Sequence, residues 1–421
     1  MSERDPTTIL LTGTFDVANY GDLLFPLIAA ARAREHDITV QAVSPTTGEG
    51  LPYRDAVRPI DVNAMLSRED LRVDAILVGG GYIIIGQQAV GLQTYEAAAV
   101  SSHAYPSLWM GATLAAALRD VPVIWNAPGV PYPFAQQRKS QLIDPALRAA
   151  DYVSVRDAAS AGLIRGPRMD VHVVPDTALD LPRVWSSEVL QATHAALVAR
   201  KGFTADTRFF VVHCRGRALD DAQALANRIH AFAQTHDMVP LLISLAPCMG
   251  DDAVTRALSH RLQTPHLLLD DAQTLQELAA AIAGAQVYIG GSLHGYITAA
   301  AYGVPAVLMA KPAHGKFNGL LQHLDRPNDL AREWDSAFER ASWHMSTDPC
   351  QPLPDSIACA LDDHWAAMLA SVAKPAARRD AREAFLREYI RHGASNLGAS
   401  WAVGVQLAGH RSSEAPLSGG A

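Results

Sequence analysis

Short apolar stretches alternate with amphipathic stretches through the first half of the chain. The apolar stretches have the length and composition of strands that are buried on both faces. They predict strands at 8–12, 38–43, 75–78, 121–125, 152–155 and 171–174. Apolar positions at helical spacing between them predict helices at 22–34, 107–118, 141–149 and 158–163. This alternation predicts a mostly parallel sheet with helices on both faces.

A second series of the same kind follows Asp180-Leu181-Pro182-Arg183, which we interpret as a domain edge. Its strands are predicted at 208–213, 239–244, 266–269, 286–289 and 306–309, and its helices at 221–233, 252–262, 274–283 and 296–302. We therefore expect an α/β fold in which two Rossmann-like domains, at 1–183 and 184–345, face a cleft. The pattern then predicts a helical extension at 346–410, with an exposed helix at 378–391, and a disordered tail at 411–421.

Composition and charge narrow the class of protein. Apolar residues make up 49% and charged residues 19% of the 421 residues, which argues against disorder. The net charge of −8 gives no reason to expect nucleic acid as a partner, so local cations must hold any anionic ligand. The scattered cysteines, the polar first residues and the lack of a long apolar run predict a cytoplasmic protein with reduced thiols, no leader and no membrane span. Peripheral attachment to the inner membrane and the oligomeric state stay open.

The most informative segment of the chain surrounds His294. An apolar strand ends in Gly290-Gly291-Ser292, presents His294 and continues into a helix of small residues. Ligands bind at such strand ends in open α/β sheets, and the N–H groups that begin a helix attract anions. A histidine placed there can move protons near neutral pH, so His294 is a candidate acid or base. The alternative is a structural histidine at a helix start.

Two loops in the first half also follow strand ends. Asn19-Tyr20-Gly21-Asp22 precedes a helix, so it indicates either a ligand site or only a capped helix start. The segment 78–82 runs a strand into three glycines, which predicts either close backbone approach to a ligand or a mobile loop. Its spacing fits neither a nicotinamide-binding motif nor a P-loop.

Cations follow two further strand ends. Arg156 follows the strand at 152–155, and Arg215 and Arg217 follow the strand at 208–213. Arginine forks suit phosphate and carboxylate ligands, although Arg156 can equally pair with an acid for packing. Beyond the strand at 306–309, Lys311 and Lys316 either add positive charge at the cleft or are solvated, and we favour solvation.

Metal binding is not expected from this pattern. His213 and Cys214 stand next to each other at a strand end, where core packing is the more common role. No further ligands lie at metal-binding spacing around them, so we predict no metal site.

Taken in order, these motifs resemble the polysaccharide pyruvyl transferase family over roughly residues 8–325. The resemblance is carried by Asn19-Tyr20-Gly21-Asp22, the triple glycine at 79–81, Val155-Arg156-Asp157, Val174-Pro175-Asp176-Thr177-Ala178 and Ser292-Leu293-His294-Gly295. It implies a fold like that of type B glycosyltransferases (GT-B). It also implies transfer of a pyruvyl group from phosphoenolpyruvate to a sugar of a polysaccharide or glycan precursor, as a ketal. Phosphoenolpyruvate is then a co-substrate and no cofactor is expected; whether the acceptor is free, polymeric or lipid-linked stays open.

The resemblance also suggests residue roles. His294 is the expected acid/base, with Asp22 or Asp176 orienting or deprotonating the acceptor. Donor binding is expected from Arg156, Arg215, Arg217, Ser292, Leu293, Gly295 and Lys311, and acceptor binding from Asn19, Gly21, Gly80, Gly81 and Tyr82. Ser292 stands where the family has an arginine, so Arg156, Arg215, Arg217 or Lys311 must supply that charge.

Two other functions compete with this interpretation. A GT-B glycosyltransferase that uses a nucleotide sugar commonly has a glutamate for the ribose where this chain has Thr298, and a hydroxyl binds ribose less strongly. The second competing function is that of a family member retained as a non-catalytic binding subunit. It is suggested by the serine at position 292.

Overall fold

The computed structural model describes residues 6–166, 169–311, 315–347 and 350–407. Its first sheet has seven parallel strands in the order β3-β2-β1-β4-β5-β6-β7. The strands are β1 Thr7–Thr12, β2 Ile38–Ser44, β3 Ile60–Asp61, β4 Ala75–Gly79, β5 Val123–Asn126, β6 Tyr152–Val155 and β7 His172–Val173. The predicted parallel sheet is confirmed, and its central strands are buried because helices cover both faces.

Helices and short turns connect these strands. The α-helices of this half are α1 Tyr20–Arg34, α2 Val62–Ser67, α3 Gln93–Ala97, α4 Ala104–Pro106, α5 Ala112–Arg119, α6 Gln136–Arg138, α7 Asp144–Ala149 and α8 Ala158–Ile164. Two π-helical turns, Ser107–Gly111 and Lys139–Ile143, precede α5 and α7. Helix α1 begins after Asn19, whose side chain accepts a hydrogen bond from the Gly21 N–H at 3.2 Å.

The second sheet has six parallel strands in the order β10-β9-β8-β11-β12-β13. They are β8 Phe209–His213, β9 Val239–Ile243, β10 Leu267–Leu269, β11 Tyr288–Gly290, β12 Ala306–Met309 and β13 Leu330–Ala331. Gly290 pairs with His213 on β8 and with Leu308 on β12, so the ends of these three strands lie side by side. The helices here are α9 Ser187–Arg200, α10 Ala222–His236, α11 Asp251–Ser259, α12 Leu275–Ala283, α13 Leu293–Ala301, α14 Gly315–His323 and α15 Trp334–Thr347.

The segment predicted as a domain edge is a buried element rather than an exposed linker. It forms a 3₁₀ helix at Thr177–Arg183 that packs against α1 and α13. Asp180 pairs there with the buried Arg32 of α1. The two halves also meet where the Tyr20 hydroxyl contacts the Thr298 hydroxyl at 2.9 Å. Because these contacts are buried and polar, they set the orientation of α1 relative to α13.

The C-terminal extension returns to the first half of the molecule. Helix α16, Asp355–Val372, packs on β5 and β6, and α17, Arg379–Leu407, packs on α5 and α7. The prediction that 378–391 is an exposed helix is wrong at Arg382, which is 1% exposed and pairs with Asp151 at 3.0 Å. The predicted disordered tail at 411–421 lies outside the described residues. None of the helices in the described ranges combines the length and apolar character needed to span a bilayer.

Candidate active site

A cavity of about 190 Å³ lies where the carboxyl ends of strands from both sheets meet. The first half contributes residues after β1, β4 and β6, and the second half contributes residues at or after β8, β9 and β11. This is the position where open α/β sheets bind ligands. The cavity is lined by Thr14, Asn19, Asp22, Gly81, Tyr82, Tyr105, Arg156, His213, Arg215, Ala246, Met249, Asp251, Ser292, Leu293, His294 and Lys316.

His294 lies in the first turn of α13, at the wall of this cavity. Ser292 caps that helix by accepting a hydrogen bond from the Gly295 N–H at 3.2 Å. The imidazole packs edge-on against Phe25, with 5.4 Å between ring centroids, and a Cβ added at Gly21 would lie 1.7 Å from its Nδ1. Gly21 therefore has to be a glycine for the ring to sit there.

The imidazole of His294 is neutral in the ligand-free protein. Its Nε2 is buried with no hydrogen-bond partner in the described chain and lies 3.9 Å from an Asp176 oxygen. Burial lowers the pKa of His294 to about 4, and the cations Arg156 and Lys316 lower it further against the pull of Asp176. An anionic ligand in the cavity would raise this pKa and let the ring carry a proton.

Arg156 faces the same cavity from the end of β6. Its guanidinium hydrogen-bonds Asp176 at 3.1 Å and lies 4.2 Å from the centroid of the Tyr82 ring. Only 5% of the side chain is exposed, yet its Nε has no hydrogen-bond partner in the described part of the chain. The neighbouring Asp157 caps α8 through the Ser160 N–H at 2.6 Å, so the motif carries one site residue and one structural residue.

Lys316 and Arg215 bring further positive charge to the cavity. Burial lowers the pKa of Lys316 to about 7, and Arg156 and Arg215 lower it further. The expectation that Lys316 is solvated is therefore wrong. The aliphatic part of Arg215 packs 3.5 Å from where a Gly291 side chain would begin, next to Ser292. Neither cation has an ion-pair partner within 4 Å among the described residues, which leaves both for an anion.

Carboxylates face these cations across the cavity. Burial raises the pKa of Asp22 to about 6, against the hydrogen bond from Thr14 and the cations Arg156 and Lys316, which lower it. Gly81 allows this approach because a Cβ there would lie 2.9 Å from the Asp22 carboxylate and its φ is +66°. Deeper in the second half, His213 bonds Asp251 at 2.8 Å.

Several predicted site residues lie around the cavity without lining it. Asp176 orients Arg156 and accepts a hydrogen bond from the Ala178 N–H at 3.1 Å. Gly21 makes room for His294, and Gly80 makes room for Phe25 with a φ of +72°. Gly295 packs against Tyr288 inside α13 and presents no side chain to a donor.

Lys311 is the clearest departure from the predicted donor set. It does not line the cavity, and it pairs with Asp220, and with Glu333 at 3.5 Å. The structure therefore does not bring Lys311 together with the other expected donor residues. The side chain of Arg217 and all of His314 lie outside the described residues.

The cavity lining also includes Lys316, for which solvation was the favoured expectation, and Thr14, Tyr105, Ala246, Met249 and Asp251, which the sequence did not single out. Only Lys316 and Asp251 carry a charge, and no local motif marks either of them. His213 and Cys214 are both buried, as expected of core residues, although His213 also reaches the cavity. Within the described ranges, metal-ligating side chains nowhere gather in groups of three.

The fold and this site define an α/β protein of the GT-B-like class with a cavity lined by Arg156, Arg215 and Lys316 between its two sheets. The chain belongs to the polysaccharide pyruvyl transferase family, whose model matches residues 19–310. No curated protein matches the chain closely enough to name a relative.

Solved structures of low sequence identity share the fold. The UDP-GlcNAc 2-epimerase of Methanocaldococcus jannaschii is 10% identical, with a TM-score of 0.55 over 86% of this chain and 99% of that one. The UDP-N-acetylglucosamine 2-epimerase of Rickettsia bellii is 11% identical, with a TM-score of 0.54 over 88% of this chain and 98% of that one. The GT-B-like fold expected from the sequence is thus confirmed, while identities this low carry no statement about activity.

Proposed function

We propose that this protein transfers the pyruvyl group of phosphoenolpyruvate onto two hydroxyls of a sugar, forming a ketal. The observation that supports it most is the buried cavity in which Arg156, Arg215 and Lys316 surround His294. Three cations and a helix N-terminus around a small cavity suit a small ligand that carries both a phosphate and a carboxylate.

The donor would bind through the cations whose hydrogen-bonding capacity is left open. Arg215 and Lys316 have no carboxylate partner among the described residues, and Arg156 keeps its Nε unbonded. Arg215 lies against Gly291, next to the position where the family has an arginine and this chain has Ser292. Arg215 therefore supplies the charge that Ser292 does not, while Ser292 caps α13.

The chemistry delivers one proton to the methylene carbon and one to the departing phosphate, and it removes one from each of the two sugar hydroxyls. Protonation of the donor methylene carbon makes it a methyl group and leaves an oxocarbenium-like centre at the adjacent carbon. The first sugar hydroxyl adds there and loses its proton. The carbon–oxygen bond to phosphate then breaks, and the second hydroxyl adds and loses its proton, closing the ketal. These steps use proton transfer and cationic side chains, with phosphoenolpyruvate as co-substrate and no cofactor.

His294 would deliver the proton and Asp22 would accept one from the acceptor. The bound donor anion raises the pKa of His294, so the neutral imidazole of the free protein becomes protonated when the substrate is in place. Asp22, with a pKa of about 6, is ionised at neutral pH and free of ion pairs within 4 Å among the described residues. Asp176 is held by Arg156, so we assign it a positioning role.

The buried position of Thr298 counts against a nucleotide-sugar glycosyltransferase. Its hydroxyl bonds the Tyr20 hydroxyl at 2.9 Å and donates to the His294 carbonyl at 2.8 Å. Thr298 is fully buried and does not line the cavity, so it offers nothing to a ribose. The remaining alternative, a binding subunit without catalysis, differs only in turnover.

One experiment separates the three functions. Phosphoenolpyruvate and UDP-N-acetylglucosamine are titrated calorimetrically into the protein, and phosphate release from phosphoenolpyruvate is then followed across a panel of glycans. Binding of phosphoenolpyruvate together with glycan-dependent phosphate release and a new ketal methyl signal in the proton NMR spectrum supports the proposal. Binding of the nucleotide sugar alone contradicts it, and donor binding without phosphate release on any glycan favours the binding subunit.

A further inference from the structure

A second, larger cavity adjoins the cavity around His294, which we call the donor cavity. It has a volume of about 940 Å³ and is formed mainly by segments 46–51, 90–94 and 247–250; we refer to it as the trough. Met249 lines both the trough and the donor cavity. A third cavity of about 470 Å³ shares Pro247 with the trough and continues it toward Tyr53. The trough thus lies between the other two cavities and shares one lining residue with each.

The walls of the trough are fixed without a ligand. The buried carboxylate of Asp16 accepts hydrogen bonds from the Thr46 N–H and hydroxyl, both at 2.8 Å, and from the Tyr95 hydroxyl at 2.7 Å. Arg58 holds the Leu51 carbonyl at 3.1 Å. The Cys248 N–H donates to the Ala18 carbonyl at 3.3 Å across the two halves. A site ordered in advance loses less entropy when it binds a long ligand.

The trough differs from the donor cavity in charge. Its described lining contains the carboxylates Asp16 and Glu49 and no lysine or arginine. The continuing cavity adds Asp270, which pairs with Arg256, Asp271, which pairs with Arg200 and Lys201, and the cation Arg54, which hydrogen-bonds Gln273. The acidic character of the two cavities therefore comes from Asp16 and Glu49. The carboxylates, hydroxyls and amides of the lining accept hydrogen bonds from sugar hydroxyls. The carboxylates repel anions, and the described trough lining has no cation to offset them.

We propose that the trough binds the glycan acceptor, and that it selects a neutral chain of more than one sugar whose end reaches the donor cavity beside Met249. This inference rests on the proposed function. The volume of the trough lies at the upper end of the range for ligand sites, which reaches about 1,000 Å³. It is larger than the volume that one sugar ring occupies. Uronic acid units, and acceptors activated by a nucleoside diphosphate, are disfavoured by the acidic lining.

Gly50 offers a direct way to block the trough. It lines the trough, and a Cβ added there meets no atom within 4 Å, so a tryptophan at this position adds bulk at the trough without a backbone clash. Gly162, an exposed residue of α8, is the matched control because a Cβ there also meets nothing within 4 Å and it lines none of the three cavities.

The test probes wild type, Gly50→Trp and Gly162→Trp, each saturated with phosphoenolpyruvate, on an array of neutral and uronic-acid-containing glycans of one to four sugars. We expect wild type and Gly162→Trp to retain neutral oligosaccharides above monosaccharides and acidic glycans, and Gly50→Trp to lose at least about tenfold in retention. Calorimetry should give all three proteins the same affinity for phosphoenolpyruvate.

Three results would overturn the inference: equal retention by Gly50→Trp, equal retention of acidic glycans, or no retention of any neutral oligosaccharide by wild type that binds phosphoenolpyruvate. If wild type does not bind phosphoenolpyruvate, that result contradicts the proposed function instead. In that case the array, repeated without the donor, decides on the trough alone.

Discussion

Arg32 and Arg156 are both buried arginines that pair with an aspartate, but they differ in how much of each guanidinium group is bonded. Arg32 donates to Asp180 through Nε at 2.7 Å and Nη2 at 2.9 Å, and to Asp362 through Nη1 at 2.5 Å. Arg156 donates to Asp176 through Nη1, and its Nε lies 3.9 Å from an Asp157 oxygen with no hydrogen-bond partner in the described chain. Arg156 also lines the cavity at His294 and Arg32 does not, so we assign the first arginine to the scaffold and the second to the ligand.

The surroundings of the two arginines differ in the same sense. Arg32 joins α1, the 3₁₀ helix Thr177–Arg183 and α16 into one packed unit. Arg156 lies among His294, Lys316 and Asp22, three groups whose pKa values burial has moved from their ordinary values. Clusters of this kind are typical of active sites.

The largest effect is expected from removing the imidazole of His294, which lies in the cluster of ionisable groups around Arg156. His294→Ala should lower kcat for phosphate release by about 10²–10⁴-fold because the proton donor is lost. Its circular dichroism spectrum should match wild type. His36→Ala, an exposed histidine at the end of α1, serves as the control and should keep full activity. Turnover close to wild type in His294→Ala would remove its assigned role.

Arg32, whose guanidinium is bonded to two carboxylates, should matter for stability. Arg32→Ala leaves the carboxylate of Asp180 buried with only a 3.5 Å contact to Arg183, and should lower the free energy of unfolding by about 3 kcal/mol. Chemical denaturation measures this loss. Below the transition, affinity for phosphoenolpyruvate should equal that of wild type. A weakened donor affinity in the folded variant would mean that the two arginines do not have separate roles.

The pH dependence of kcat/KM should report the ionisation of Lys316 and Asp22. Lys316 is cationic below its pKa of about 7, so donor capture should weaken as the pH rises through that value. Asp22 must be ionised to act as a base, so activity should also fall as the pH drops below about 6. Lys316→Met should remove the alkaline limb and Asp22→Asn the acid limb. If both variants keep the wild-type pH profile of kcat/KM, groups other than Lys316 and Asp22 determine it, which contradicts this prediction.

The smallest effect is expected at the position where the family has an arginine. Ser292→Ala removes the cap of α13 and should cost about 1 kcal/mol in the free energy of unfolding. The affinity for phosphoenolpyruvate should change by less than about threefold, since Arg215 supplies the charge. Thermal denaturation and calorimetry on the same samples test both statements. A large loss of donor affinity would show that Ser292 binds the donor itself.

Much of the fold was predictable because strands buried on both faces read as continuous apolar runs. The strand at 306–309 agrees with the observed Ala306–Met309 to the residue. Helices whose apolar residues do not fall on one face were missed, among them Ser187–Arg200. The Pro and charged residues of Thr177–Arg183 resemble a loop, so the sequence does not predict a buried 3₁₀ helix there, and only tertiary pairing reveals that Asp180 is buried.

The candidate site was predictable where motifs stand at strand ends and not elsewhere. His294, Arg156 and Asp22 follow β11, β6 and β1, so the topology alone brings them together. Lys316 and Lys311 looked alike in the sequence because both follow the strand at 306–309. Which of the two turns inward depends on the packing of α14, and no local pattern records that.

The most direct measurement of the central claim is a calorimetric titration of phosphoenolpyruvate into wild type and Arg156→Gln at pH 6.5. We predict saturable binding by wild type and an affinity lower by about 10–100-fold in Arg156→Gln. The titration is run well below the unfolding transition of the variant, because loss of Arg156 leaves the buried Asp176 without its ion-pair partner and lowers the unfolding free energy. Equal affinities, or no binding by wild type, would contradict the claim that the unsatisfied guanidinium of Arg156 marks the donor site.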